Sequence, residues 1–463
     1  MALEVLRTEA MANTHTTTPA KVTAIVLTCN RPTRCVDSVW HNTLAMQGLE
    51  AETIVVNNGV ETVSLPPAIA GIPCRVIQMP ANIGAAARNA GIRAATGEIL
   101  LVLDDDAYMD PLLARKAVDA FSANPGMGAL AFSVRNGKEE DEACLLPSVF
   151  HGCACGFRKS AIVQAGGYPD DYLYYGEEYD VAFRLYGAGY SIGCLPGPHR
   201  VRHVRDQGGR NTARIIQLLV QNNTKLLWTH FPKQFLWAAF RNVLQRYRLV
   251  AGRENVLPAY LRGLRSVPSA MLRGMLRRKP MDRNIFRSVV ALDKMELSCR
   301  RLWSAGAREV VVCGVGKFPS LWLAMLKRYG LRVRAILDAN ACWRAQCIGE
   351  VPVVATQMGV AAWLEVGLPC LVGTASAPEN ERWRDRLMTE HDYSPALPEA
   401  EFSSAGGIID LLDLCRTSEF WPKRRAIQSR PRRGIWSALD LHSDDSVESP
   451  VSGDAVYGRN QHR

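Results

Sequence analysis

Apolar residues along this chain fall into short, dense, β-branched runs separated by stretches of helical spacing. VTAIVLT at 22–28 reads as a buried strand, followed by a polar loop at 29–33 and a helix over 35–47. TIVVNN (53–58), CRVIQM (74–79) and EILLVL (98–103) predict three more strands, with a Gly/Ala-rich helix over 84–95 before the last of them. Strands alternating with helices predict a parallel α/β sheet with right-handed crossovers. Further on, the pattern predicts a helix starting near Pro111, a strand around 129–134, a Gly/Cys turn at 152–156 and a helix carrying EEYDVAFRL at 177–185. This unit closes near Arg210.

Between 215 and 300 the chain is rich in Leu, Trp and Arg at helical spacing, and Pro232, Pro258, Pro268 and Pro280 divide it into short amphipathic helices. A second α/β unit begins near Arg308. EVVVCGVG is a strand running into a glycine turn, 319–329 a helix, LRVRAILDAN a strand ending at Asp338, and PCLVGTAS a further strand. The Thr-rich leader over 1–20 and the basic, Ser/Asp/Gly-rich tail over 417–463 have too few apolar positions to bury and read as disordered.

A chain of 463 residues with 48% hydrophobic and 22% charged residues is long enough for several cores, and its composition excludes a wholly disordered or fibrous protein. No uncharged apolar run is long enough to span a bilayer and the leader lacks the apolar core of a signal peptide, which predicts a cytoplasmic location, with possible peripheral contact at the inner face of the membrane. The 13 cysteines are thinly spread without paired CxxC knuckles, so they read as reduced thiols and not as a structural zinc site. The net charge of +10 is concentrated: residues 241–301 hold 15 Lys/Arg against 4 Asp/Glu. That segment is either a solvated helical face or a surface for phosphate groups.

Asp104, Asp105 and Asp106 follow the fourth strand directly, at the carboxyl edge where open α/β sheets bind ligands. Adjacent carboxylates repel one another, and Mg2+ or Mn2+ with substrate phosphates would relieve that repulsion; a solvated acidic loop is the alternative. Glu177 and Glu178 point about 100° apart on a helix, so one can face a cleft as a general base while the other caps or orients. Asp180 has the i,i+4 spacing of a surface pair with Arg184. His203 suits a metal ligand or a satisfied surface histidine, and Arg88, in a small-residue stretch at 82–91, suits either a phosphate fork or a packed helix with a surface Arg.

The order LTCNRP, NIGAAARNAG, LDDDA, GCACGFRKSAIVQAGGYPDDYLYYGEEYDVAFRL and then His203 resembles the family 2 glycosyltransferases of the GT-A fold, over about 22–232. The resemblance implies a nucleotide-sugar donor, with Thr28, Asn30 and Arg31 holding base and ribose, Arg88 near the nucleotide and Asp104 on the ribose side. The family commonly has Asp-Asn where this chain has Asn57-Asn58, so Asn58 stands at a nucleotide-binding position whose partner has changed. Asp106 would bind the metal on the diphosphate, beside Asp104, and His203 would complete its shell. Glu178 takes the position of the catalytic base, Glu177 precedes it, and Asp180 lies on the same helix; the 152–156 turn would lie beside donor sugar and acceptor. The GEEYDVAFRL form resembles rhamnosyltransferase-like members.

The expected organisation is a leader (1–20), a GT-A domain (21–232), a basic amphipathic helical region (233–304), a smaller Rossmann-like α/β domain (305–416) and a tail (417–463). The last domain has Gly314-x-Gly316 and Asp338 in the layout of a dinucleotide fingerprint, with Pro319 in place of the third glycine. It resembles the small Rossmann-like domains attached to sugar-modifying enzymes. The expected function is metal-dependent inverting transfer from a UDP- or dTDP-sugar to a glycan, lipid-linked or natural-product acceptor, with Mg2+ or Mn2+ and no nucleic acid. Aromatic residues Trp228, Phe231, Phe235 and Trp237 beside the arginines suggest a membrane interface. The alternatives are a non-catalytic polyanion- or membrane-binding protein and an NAD-dependent sugar-modifying enzyme working through the C-terminal unit.

Overall fold

The computed structural model describes residues 21–136, 141–142, 149–204, 211–338, 346–355, 368–372 and 408–410; the leader and tail expected from the sequence lie outside them. The chain starts with β1 (Val22–Thr28), α1 (Pro32–Leu44), β2 (Ala51–Asn57), β3 (Ala68–Ile69), β4 (Ile72–Gln78), a 3-10 turn (Gly84–Ala87) leading into α2 (Arg88–Ala94), and β5 (Ile99–Asp104). It continues with β6 (Ala107–Met109), α3 (Leu113–Ala123), β7 (Met127–Asn136), β8 (Asp141–Glu142), β9 (Ala154–Arg158), α4 (Lys159–Gln164), α5 (Glu177–Gly187) and β10 (Ser191–His203). These strands form one sheet in the order β3-β4-β2-β1-β5-β9-β7-β10-β6, with β8 beside β7. The central strands β4, β2, β1 and β5 are parallel, as the buried runs of β1, β2 and β5 predict, and β9 is antiparallel to both β5 and β7. The expected turn at 152–156 is thus mostly strand: Cys155 is fully buried, opposite Val102, because that run is apolar enough to fill the middle of the sheet.

Alternation in β1 and β5 splits the core. Ile25, Leu27, Leu100 and Val102 pack on one face, and Val22, Ala24, Val26, Leu101 and Leu103 on the other. The first face continues through α6 (Thr212–His230), α7 (Lys233–Arg253), α8 (Leu257–Arg265), α9 (Val267–Leu276), α10 (Arg283–Val289) and α11 (Leu292–Ser304). It reaches a second sheet of β11 (Glu309–Cys313), followed by α12 (Pro319–Arg328), β12 (Arg332–Asp338), β13 (Cys347–Ile348), β14 (Val351–Ala355), β15 (Cys370–Val372) and β16 (Ile408–Asp410), in the order β13-β14-β12-β11-β15-β16. Phe231, Phe286 and Val312 belong to one contiguous core. The helices are therefore the packing layer between two sheets rather than a linker. Trp228 and Phe231, expected at a membrane interface, lie inside this layer: their rings are buried against Phe240, Phe286 and Phe318. Trp237 is exposed and Phe235 stacks half-buried on Phe286.

Candidate active site

The carboxyl ends of β1 and β5 bring Thr28, Arg31 and the three aspartates together. The aspartates diverge rather than share one face. Asp104 pairs with Arg88, Asp105 turns inward to accept a 2.6 Å hydrogen bond from Thr28 Oγ1, and Asp106 faces His203, whose Nε2 is 3.3 Å from Oδ1. Pairing of β10 with β6 sets His203 opposite Ala107, which delivers the imidazole next to Asp106. Arg31 spans the two inner groups, pairing with Asp105 and donating from Nη1 to Asp106 Oδ2 at 3.0 Å. Burial drives Asp105 up to about 6 against the pull of Arg31 and Thr28. Burial also opposes ionisation of Asp106, but His203 and Arg31 prevail and hold it down at about 2.

Asp106 and His203 suit a hard divalent cation as a partial shell. Mg2+-type ions take one or two protein groups and fill the remaining positions with water and substrate phosphates. Among the described residues no group of three or more His, Cys, Asp and Glu is arranged to hold a metal ion by itself. Asp104 differs from its two neighbours in that its Oδ1 pairs with Arg88.

Arg88 forms the second wall. Its guanidinium is buried, donates to the carbonyl of Gly152 at 3.2 Å, stands 4.0 Å from Glu177 Oε1 and lies over the Tyr168 ring, while Nε and Nη1 have no hydrogen-bond partner. Glu177, likewise buried, leaves Oε2 unpartnered. Burial and the neighbouring Glu178 push Glu177 up to about 8, against Arg88. Glu178 points elsewhere: Oε2 accepts the N–H of Gly176 at 3.0 Å, and Lys317 of the second sheet supplies positive charge nearby. Burial raises its pKa too, opposed by backbone donors, Lys317 and Arg88.

Asp180 does not join these groups. It accepts from Arg184 Nε at 2.6 Å, sits 2.9 Å from His230 Nε2, and is held well below the usual carboxylate range by those partners despite its burial. That arrangement fixes α5 on α6: the i,i+4 pair with Arg184 forms as expected, but Asp180 is buried rather than at the surface because His230 packs against it. Asn30 and Asn58 are also spent on the frame. Asn30 Oδ1 accepts from Val60 N at 2.8 Å, and Asn58 braces the 82–84 loop through Asn82, Ile83 and Gly84.

Sequence reasoning missed the clamp on the loop before α5. Asn222 of α6 donates from Nδ2 to the carbonyls of Tyr172, Tyr174 and Tyr175 at 2.9, 2.8 and 2.9 Å, and Lys225 Nζ reaches the Asp171 carbonyl at 2.6 Å. The loop needs holding because Leu173, Tyr175 and Gly176 all have positive φ. Gly84 permits the approach from the other side: a Cβ there would stand 2.0 Å from the Leu173 carbonyl oxygen. Nothing local marks Asn222 and Lys225 out, because α6 also carries Gln217, Gln221, Asn223 and Thr224.

The glycine turn of the second sheet is filled by protein. Asp338 accepts the N–H of Val315 at 2.7 Å, Asn242 of α7 accepts the N–H of Ser320 at 3.1 Å, and Arg246 donates to the Gly316 carbonyl. Both N–H groups are thus satisfied within the protein. Lys317 is buried with Nζ 3.2 Å from the centroid of the Tyr179 ring, so this turn abuts the helix that carries Glu178.

Residues 23–161 match the family model described as glycosyl transferase family 2. The matched segment holds the parallel strands and the Asp104–Asp106 cluster, and it is similar to that family. Over 96 residues the chain is 34% identical to YwdF of Bacillus subtilis (strain 168), described as an uncharacterized glycosyltransferase; the match spans 20% of this chain and about a third, 34%, of that protein's length. Among solved structures, the mannosyltransferase PcManGT from Pyrobaculum calidifontis, in complex with GDP-Man and Mn2+, is similar with a TM-score of 0.37 and 17% identity, covering 68% of this chain and 88% of that one. S. aureus TarS 1–349 in complex with UDP-GlcNAc gives 0.41 and 14%, covering 67% and 92%. The matched segment contains Thr28, Arg31, Arg88 and Asp104–Asp106; Glu177 and His203 follow it in sequence and meet it in space, at Arg88 and Asp106.

Proposed function

We propose that the chain is an inverting glycosyltransferase that moves a sugar, with rhamnose the expectation from its GEEYDVAFRL motif, from a nucleotide diphosphate donor to a glycan, lipid-linked or natural-product acceptor. The observation that supports this reading is the chain of contacts at the carboxyl edge of the sheet: His203 stands 3.3 Å from Asp106, and Arg88 links Asp104 to buried Glu177, which precedes half-buried Glu178 on α5. Thr28 and Arg31 hold Asp105 and Asp106 in place, and Arg88 offers an incompletely satisfied guanidinium to an anionic donor. Asp106 and His203 would hold Mg2+ or Mn2+, which supplies positive charge to the leaving diphosphate.

The acceptor hydroxyl needs a base. Burial and Glu178 raise Glu177 to about 8, whereas backbone donors, Lys317 and Arg88 draw Glu178 toward its ionised form against its own burial. Glu178 is therefore the member able to take the acceptor proton, and Glu177 orients against Arg88. The glycine turn of a Rossmann-like C-terminal unit serves in this reading as a wall of the site.

A thermal-shift panel of UDP, dTDP, GDP and CDP, each with and without Mn2+, tests the donor site. At ligand near 100 Kd the expected stabilisation is about 2.7 kcal/mol for the matching nucleotide; no shift with any of them would overturn the reading. Lys317 tests the base. Lys317→Met removes a charge that lowers the Glu178 pKa, so that pKa rises further and Glu178 stays protonated to higher pH. The acid limb of kcat/KM is expected to move to higher pH, with the rate deficit largest below neutrality and fading at alkaline pH. A merely structural role for Lys317 would instead lower the rate equally across the profile.

A further inference from the structure

Helices α8 and α9 lie flat on α6 because glycines face it. A Cβ at Gly263 would stand 3.0 Å from Val220 Cβ, and one at Gly274 would stand 2.6 Å from Trp228 Cβ and 2.8 Å from the Lys225 carbonyl oxygen. With Ala259, Gly263, Ala270 and Gly274 turned inward, the opposite faces point to solvent, and those faces are apolar where a surface helix is normally polar. Leu257 and Leu261 stand on α8; Leu272, Met275 and Leu276 stand on α9, with Leu272 54% and Leu276 78% exposed. Five large apolar side chains on two neighbouring helices make a patch of the kind that marks an interaction surface.

Charge identifies what covers it. From Asn255 to Met281 the chain holds six basic residues and no acidic one. Arg277 is paired with Asp171, and Arg278 donates to the carbonyls of Trp228 and Phe231, so these two fasten the segment to the body of the protein. Arg262, Arg265, Arg273 and Lys279 are exposed around the apolar ridge. A second copy docking by the same face would set these positive charges against their own counterparts. A negatively charged bilayer satisfies both parts, taking the leucines into its acyl boundary while the arginine heads remain among lipid phosphates.

We infer that the outer faces of α8 and α9 dock the protein on an anionic lipid bilayer, Leu257, Leu261, Leu272, Met275 and Leu276 entering it within a ring of arginines. The lipid-binding claim stands on this surface alone. Its meaning for catalysis rests on the transferase reading with a lipid-linked acceptor: α6, which carries both helices, also clamps the loop leading to Glu177 and Glu178 through Asn222 and Lys225.

Flotation of the full chain with vesicles tests the inference. Wild type is expected to float with phosphatidylcholine vesicles containing phosphatidylglycerol at low salt, less at high salt, and not with phosphatidylcholine alone. A combined Leu272→Ser, Met275→Ser, Leu276→Ser variant is expected to bind more than about tenfold more weakly, and Arg262→Gln with Arg265→Gln and Arg273→Gln to lose the preference for anionic lipid. The nucleotide thermal shift, measured without vesicles, reports folding of the variants and the fate of the transferase reading separately. Absence of wild-type flotation at low salt would overturn the docking face, as would serine variants that float like wild type. A concentration-dependent dimer that the serine variant abolishes, without vesicle binding, would assign the patch to a second copy and overturn the lipid inference.

Discussion

Glu178→Gln is expected to lower turnover by about 10²- to 10⁴-fold while leaving the nucleotide-induced thermal shift in place. The amide keeps the size of the side chain and can still accept the Gly176 N–H, so the loop that carries it is not released. What disappears is the site for the acceptor proton. Glu177→Gln provides the internal comparison. Glu177 carries its proton at neutral pH, so its amide resembles the working state, and the loss is expected to be much smaller than for Glu178. Steady-state rates for both variants with one acceptor decide the assignment: if Glu177→Gln proved the more damaging of the two, the base would be Glu177.

Asp106→Ala is expected to abolish the Mn2+-dependent part of nucleotide binding. Asp106 is the carboxylate beside His203, it is held ionised to about pH 2, and no group of three or more His, Cys, Asp and Glu among the described residues offers a substitute cage. The about 2.7 kcal/mol stabilisation seen with metal and the matching nucleotide is expected to collapse to the metal-free value. Asp106→Ala also unpairs Arg31 Nη1, but Arg31 keeps Asp105, so the strand ends stay joined and the ligand-free protein remains folded. A metal-dependent shift that survived in Asp106→Ala would remove Asp106 from the cation site.

Much of the first sheet was legible because its strands are buried on both faces and so appear as unbroken apolar runs: VTAIVLT coincides with β1. Cys153 and Cys155 misled because Gly and Cys suggest a turn, whereas small residues here let β9 sit between two strands. The aspartates and glutamates were legible as a set, since clustered carboxylates are costly without a purpose. Their division of labour was not. One of the charges acting on Glu178 is Lys317, far along the chain, and no local pattern encodes that distance. Asn222 was equally silent, because its partners are backbone carbonyls of a loop about fifty positions earlier. Buried Trp228 and exposed Leu276 had the same helical spacing, and only the glycines facing α6 decide which of them points inward.

The burial of Lys317 against Tyr179 also sets an order of events during synthesis. The transferase sheet emerges first, yet the group that biases the charge on Glu178 follows some 140 positions later, which at usual elongation rates is roughly 7 to 28 s. A nascent chain halted before that turn would hold the donor walls without the charge that readies its base. Under the proposed transferase reading, Glu178 would gain that bias only in chains whose second sheet has been made.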